Sequence, residues 1–175
     1  MRTSLALIGF MGTGKTAVGR RLAEKLGKEF IELDSLIEKK AGMSIPEIFR
    51  TDGEIRFREL EIEATREIAA KKNAVIACGG GIVLNKINID RLKKEYVIVC
   101  LTASLAAILK RTSGDKNGRP LLAVADRERE IKELLKFRKP YYERSAELTV
   151  NTSMMSINTT ADKIIKLLRD YESQN

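Results

Sequence analysis

Eight consecutive residues, Gly9-Phe10-Met11-Gly12-Thr13-Gly14-Lys15-Thr16, follow the pattern G-x-x-x-x-G-K-[ST], and each constrained position has a physical use. Glycines let successive backbone N–H groups converge on phosphate oxygens, the lysine neutralises charge on β and γ phosphates, and the threonine hydroxyl can ligate Mg2+. The expected nucleotide contacts are Gly12, Thr13, Gly14, Lys15, Thr16 and Ala17, with Thr16 also facing the metal. The alternative is a plain Gly-rich turn from strand to helix, which has no use for Lys and Thr at these two places.

A phosphate donor needs an acceptor, and three further groups of residues could hold one. Asp34 follows an apolar run, with Glu32 two residues before it at the same-face spacing of a strand. The two carboxylates can serve a hydroxyl and a metal; alternatively Asp34 caps the next helix. Gly79-Gly80-Gly81 would bring backbone N–H groups close to an anionic or hydroxylated ligand, or else make a simple turn. Past Gly53, the residues Phe57, Leu60, Ala64 and Ile68 trace an apolar helical stripe on which Glu61 also falls. Arg58, three residues before Glu61, can pair with it and point a guanidinium into a partly buried site, ready for a two-pronged contact with a substrate carboxylate. The competing reading is a surface ladder of Arg58 with Glu54 and Glu61. Arg119 and Arg138 are two more candidate anion contacts, or solvated surface charges.

These groups are far apart in the chain, so a frame must bring them together. Short apolar runs at Leu5–Ile8, Phe30–Leu33, Ala74–Cys78, Tyr96–Leu101 and Leu148–Val150 read as strands, and their unalternated character suits a parallel sheet covered on both faces. Helical patterns alternate with them, with a helix pair expected between the second and third strands, so the fold class is α/β. Two S-x-x-E patterns, Ser35 to Glu38 and Ser44 to Glu47, read as capping boxes, and a closing helix carries Ala161, Ile164, Ile165 and Leu168 on one face. Residues 112–125, with Gly114, Asp115, Asn117, Gly118 and Pro120, are too turn-rich for a helix and too long for a plain connector, which makes them a candidate flap. In such sheets ligands bind at the carboxyl ends of the strands, where the phosphate loop, Asp34 and the glycine triplet are expected to converge.

Composition narrows the class further. The 175 residues, 43% hydrophobic and 32% charged, suit one domain spanning 1–175 with its own core. There is no histidine, and Cys78 and Cys100 lie inside apolar runs without C-x-x-C spacing, so neither a zinc site nor a Cys/His nucleophile is expected. The formal charge of +8 favours anionic partners. Aromatics are only 5% and basic residues alternate with Glu and Asp, which argues against nucleic acid. The apolar stretch nearest the start, Leu5 to Ile8, is too short for a signal-peptide core or a membrane span, so no membrane association and a cytoplasmic location are expected.

Taken together, the residues resemble the shikimate kinase family over nearly the whole chain. The likeness rests on GFMGTGKT, Asp34, the stretch T-D-G-E-I-R-F-R-E-L-E from Thr51 to Glu61, Gly79 to Gly81, Arg119-Pro120-Leu121-Leu122, and Arg138 followed by Pro140, Tyr141 and Tyr142. It implies a three-layer P-loop kinase fold: a five-stranded parallel sheet in order 2-3-1-4-5, helices on both faces, and a mobile lid at about 112–125. The implied reaction is transfer of the ATP γ-phosphoryl group, with Mg2+, to the 3-hydroxyl of shikimate in the route to chorismate. By the same resemblance Asp34 would orient the acceptor hydroxyl and take its proton. Arg58, Arg138 and the Gly79–Gly81 backbone would hold shikimate, Lys15 and Arg119 would stabilise the transferring phosphoryl group, and Arg111 would lie along the adenine. A monomer is expected. Two departures stand out. Glu32 replaces the first aspartate of the family's usual Asp-x-Asp, reaching one methylene further. The segment Asn151-Thr152-Ser153-Met154-Met155-Ser156 replaces a basic residue and a proline near adenine, leaving methionine packing on the ring face. The remaining alternatives are a kinase of another small hydroxy acid such as gluconate, and a nucleotide-binding regulatory module without transfer.

Overall fold

The computed structural model describes residues 4–113 and 126–173. Strands β1 (Ser4–Gly9), β2 (Glu29–Glu32), β3 (Ala74–Ala77), β4 (Tyr96–Thr102) and β5 (Leu148–Asn151) form one parallel sheet in the order β2-β3-β1-β4-β5. The register sets Leu5 beside Val75 and Val97, and Ala6 beside Ile76 and Ile98. Alternate residues therefore enter two cores, one on each side of the sheet. Leu5, Leu7, Val75, Val97, Val99 and Leu101 face one core, while Ala6, Ile8, Ile76, Ile98 and Cys100 face the other. This is why the three central strands, β1, β3 and β4, read as continuous apolar runs: neither of their faces meets water, whereas the edge strands β2 and β5 are partly exposed. Each fully buried aliphatic side chain is worth about 1.5–3 kcal/mol. Cys78 and Cys100 are free, buried members of that core.

Helices α1 (Lys15–Leu26) and α8 (Ile157–Glu172) pack together over the first core. The second core is covered by α2 (Leu33–Ala41), α3 (Ile45–Thr51), α4 (Gly53–Ile68), α5 (Lys86–Leu92), α6 (Leu105–Thr112) and α7 (Arg127–Ser145), with a 3-10 turn at Ile82–Leu84 before α5. Three helices, not the expected pair, separate β2 from β3. The break between α3 and α4 falls at Gly53, whose φ of 80° is left-handed and cannot continue a right-handed helix.

Two local expectations are corrected. The second strand stops at Glu32, so Leu33 opens α2 and Asp34 lies in its first turn rather than on the strand. Ser35 is then inside the helix and is not its cap; its hydroxyl instead donates to Glu32 Oε2 at 3.4 Å. Ser44 does occupy the N-cap position of α3, yet its hydroxyl makes no cap hydrogen bond. Glu38, reaching across from α2, accepts from the Ile45 N–H at 2.9 Å in its place. An ionised carboxylate is the stronger acceptor for an N-terminal N–H, so the tertiary partner displaces the local one. The expected flap begins at Thr112, which is the last residue of α6, and its residues 114–125, Arg119 among them, lie outside the described residues. Among the described residues no helix is long and apolar enough to cross a membrane.

Candidate active site

The phosphate loop joins the carboxyl end of β1, the central strand, to the N-terminus of α1. Gly12 and Gly14 have φ of 75° and 94°, left-handed conformations that glycine adopts without strain, and they stand at the N-terminus of α1, where an anion is favoured. Lys15 Nζ donates to the carbonyls of Gly9 and Phe10, both at 2.9 Å, which holds the ammonium over the loop. Thr13 turns inward: it is buried, its Oγ1 donates to the Phe10 carbonyl at 2.8 Å, and its own carbonyl accepts from Thr152 Oγ1 at 2.9 Å. Its side chain locks the loop, so a phosphate meets only its backbone.

Thr16 Oγ1 donates to Glu32 Oε1 at 2.7 Å. Glu32 Oε2 lies 3.5 Å from Arg20 Nη2. One hydroxyl and one carboxylate are a small donor set, suited to a cation that keeps most of its ligands as water and phosphate oxygens, as Mg2+ does. The longer Glu32 side chain reaches the hydroxyl directly, so both predicted metal residues meet despite the departure from Asp-x-Asp.

Asp34, Gly79 and Gly80 line the same cavity of about 340 Å³ as Gly12, Lys15 and Thr16. A Cβ on Gly79 would stand 2.8 Å from Asp34 Oδ1 and 3.5 Å from Glu61 Oε1. The carboxylate thus needs the missing side chain to sit where it does. At the neighbouring position, a Cβ on Gly81 would stand 2.5 Å and 2.6 Å from the two terminal nitrogens of Arg58. Arg58 also pairs with Glu54 at 3.0 Å and with Glu61 at 3.1 Å. The ladder and the inward-facing guanidinium, opposed as sequence readings, coexist because one edge of the ladder, Glu61, is buried. That burial pushes the Glu61 carboxyl up to about 7; Arg58 opposes the shift and Asp34 adds to it.

Arg138, from the middle of α7, is only 4% exposed, with its guanidinium near Gly80 and 5.9 Å from the centre of the Phe10 ring. Its Nε has no hydrogen-bond partner, and among the described residues no carboxylate pairs with it. Tyr142, one turn further along α7, donates to the Gly80 carbonyl at 2.6 Å and so ties this helix to the glycine triplet. Arg58, Gly81 and Arg138 do not line the phosphate-loop cavity itself but adjoin it through Gly80.

Arg111 donates from Nη1 to the Gly12 carbonyl at 3.1 Å and to Thr152 Oγ1 at 3.0 Å, and from Nη2 to the Thr152 carbonyl at 2.6 Å. It borders a second cavity of about 480 Å³ whose apolar walls include Ala17, Val18, Met155 and Ile157. Of the two methionines, Met155 lines this cavity while Met154 is 96% exposed. Thr152 was visible in the sequence only as part of an atypical segment; its partners are 139, 50 and 41 residues away, so no local pattern marks it.

A phosphate loop at the end of the central strand, with a carboxylate facing it across one cavity and arginines beyond, defines an ATP-dependent P-loop kinase. Comparison with known proteins narrows the class. The family model for shikimate kinase matches residues 11–169. A shikimate kinase of Thermodesulfovibrio yellowstonii is 50% identical over 169 residues, covering 97% of this chain and 95% of the relative. One from Pelotomaculum thermopropionicum is 47% identical over 168 residues, covering 96% of each. The solved structure of shikimate kinase from Acinetobacter baumannii in complex with shikimate superposes with a TM-score of 0.93 at 40% identity, over 97% of this chain and 94% of that one. The chain belongs to the shikimate kinase family. A gluconokinase from Sinorhizobium meliloti, at a TM-score of 0.60 and 18% identity over 99% and 98% of the two chains, shares the fold alone.

Proposed function

We propose that this protein transfers the γ-phosphoryl group of ATP to the 3-hydroxyl of shikimate, giving shikimate 3-phosphate and ADP. The observation that carries the reading is the single cavity in which the phosphate loop and Asp34 face each other, bounded by the glycine triplet. Gly12, Thr13, Gly14, Lys15, Thr16 and Ala17 cradle the donor phosphates, chiefly through backbone N–H groups, and Arg111 lies along the adenine against Met155. Mg2+ held by Thr16 and Glu32 would neutralise charge on the β and γ phosphates. Asp34 accepts the hydrogen bond of the acceptor hydroxyl, orients its oxygen toward the donor and takes the proton as the bond to phosphorus forms. Lys15 and Arg119 balance the charge that develops on the transferring group.

Arg58, Arg138 and the backbone of Gly79, Gly80 and Gly81 hold shikimate. A buried guanidinium without a carboxylate partner among the described residues is the chemical complement of a substrate carboxylate, and Arg138 is one. We place the activity in the cytoplasm, in a monomer whose residues 1–175 act as one domain. ADP release measured with a coupled enzyme, with shikimate and in parallel with gluconate, tests the reading. Turnover with shikimate alone supports it; turnover with gluconate alone, or with neither, overturns it.

A further inference from the structure

The two ends of the segment between α6 and α7 are joined by a contact outside the catalytic groups. Arg127 Nη2 donates to the Thr112 carbonyl, and at 2.6 Å to Thr112 Oγ1. Thr112 is the last residue of α6 and has no solvent exposure. Carbonyls in the last turn of a helix lack intrahelical partners and carry the negative end of the helix dipole, so a guanidinium there supplies both a donor and a complementary charge. The Thr112 hydroxyl sends its own proton to the Ile108 carbonyl at 2.7 Å and accepts from Arg127. Its rotamer is thereby set from both sides.

That rotamer aims the methyl group at the phosphate loop. A Cβ on Gly12 would stand 2.9 Å from Thr112 Cγ2 and 3.4 Å from the Ile108 carbonyl oxygen, so the Cα of Gly12 rests on the end of α6. The preceding residue, Arg111, holds the Gly12 carbonyl at 3.1 Å. The last two residues of α6 therefore grip one loop residue twice, once by packing and once by a hydrogen bond, and Arg127 secures the helix end that does so. Gly12 lines the cavity of the donor phosphates. Backbone N–H groups bind phosphate productively only when held to within about 0.5 Å.

We infer that Arg127 is a positioning residue for the nucleotide: through Thr112 it fixes Gly12 in the phosphate loop. The inference rests on the donor-site reading above. It concerns ATP and not the acceptor, because Asp34, Arg58 and the glycine triplet sit on other elements, and Arg138, three turns along α7, is held by its own burial.

Calorimetric titration of Mg-ADP and, separately, of shikimate into the full chain tests it. Arg127→Met is expected to weaken ADP about 5- to 20-fold and leave shikimate within about twofold. Arg127→Lys, which can still donate to the carbonyl, should recover most of the loss. Thr112→Val keeps a methyl toward Gly12 but removes the hydroxyl that fixes it, so it should weaken ADP by a smaller factor. Combined with Arg127→Met it should add nothing, since both act through one contact. The Thr112→Val result carries the test if Arg127→Met fails to fold. ADP affinity within about twofold of the parent in both single variants would overturn the inference. So would parallel loss of ADP and shikimate, the mark of a merely loosened fold, or fully multiplicative effects in the double variant. A parent chain that binds shikimate but not ADP would overturn this inference together with the donor-site reading.

Discussion

Replacing Arg138 by methionine is expected to move substrate affinity and stability in opposite directions. Arg138 is 4% exposed, its Nε has no hydrogen-bond partner, and no described carboxylate makes an ion pair with it. A buried cation without a direct ion pair among the described residues costs several kcal/mol in lost hydration; the Phe10 ring at 5.9 Å returns about 0.5–2 kcal/mol, and the Tyr142 hydroxyl and the more distant Glu61 carboxyl return a further part. Methionine keeps an unbranched stem of similar reach without the charge, so the ligand-free variant should be more stable by about 1–2 kcal/mol. For a chain of this size that is roughly 2–4 °C in Tm per kcal/mol. Shikimate binding loses at least one hydrogen bond between charged groups, worth about 1.5–3 kcal/mol, or roughly 10- to 150-fold in Kd. The stabilisation that saturating shikimate confers on the parent should shrink by the same amount. Titration calorimetry with shikimate, paired with thermal unfolding with and without it, reads both signs at once. Shikimate affinity within twofold of the parent would refute the reasoning, as would a loss of more than about 1 kcal/mol in the ligand-free protein, because the guanidinium would then be serving the fold.

Three further outcomes are expected. Between pH 4.5 and about 7 the folded chain keeps a proton on Glu61 that the unfolded chain releases. The stability this carboxyl contributes is therefore fully present below pH 4.5 and lost as pH rises through 7, by about 3 kcal/mol at 1.36 kcal/mol per pKa unit. Urea unfolding of the parent against Glu61→Gln across pH 4–8 isolates it, and a pH-independent difference would contradict the assignment. Gly79→Ala should cut kcat by about 100-fold while ADP affinity and circular dichroism stay unchanged, because the new methyl displaces the Asp34 carboxylate; kcat within threefold would refute the close approach. Glu32→Ala should raise the Mg2+ concentration for half-maximal rate about tenfold with shikimate Kd unchanged. An unaltered Mg2+ titration would give Glu32 a purely structural role toward Thr16.

The parts legible in the sequence are those whose cause is local. The phosphate loop is eight contiguous residues whose glycines, lysine and threonine act within two turns of chain, and it stands where the pattern sets it, between β1 and α1. The three central strands were recognisable because both of their faces are covered, which leaves no polar alternation to confuse them. Where a local pattern had a distant competitor, it misled. Leu33 is apolar enough to extend a strand yet opens a helix, Ser35 falls inside that helix, and at α3 the Ser44 cap yields to Glu38 from α2. The spacing argument that put Glu32 and Asp34 on one strand face was wrong in its premise, since Asp34 is helical, although both line one cavity.

Residue chemistry along the chain was enough to specify a phosphate donor site, an α/β sheet and a set of acceptor-binding side chains, because donor capacity, apolar periodicity and glycine freedom belong to individual residues and their near neighbours. Whether Arg58 was a clamp or a ladder, whether Arg138 was buried, and which loop held Arg111 depended on groups brought together across long stretches of chain: Gly81 with Arg58, Gly80 with Tyr142, Thr152 with Thr13, Thr112 with Arg127. Burial and pairing are properties of a place in the folded molecule. The sequence places Glu61 on an apolar helical stripe but gives no measure of its burial; its carboxyl is pushed up to about 7 because α4 turns it away from water beside Asp34 and Arg58.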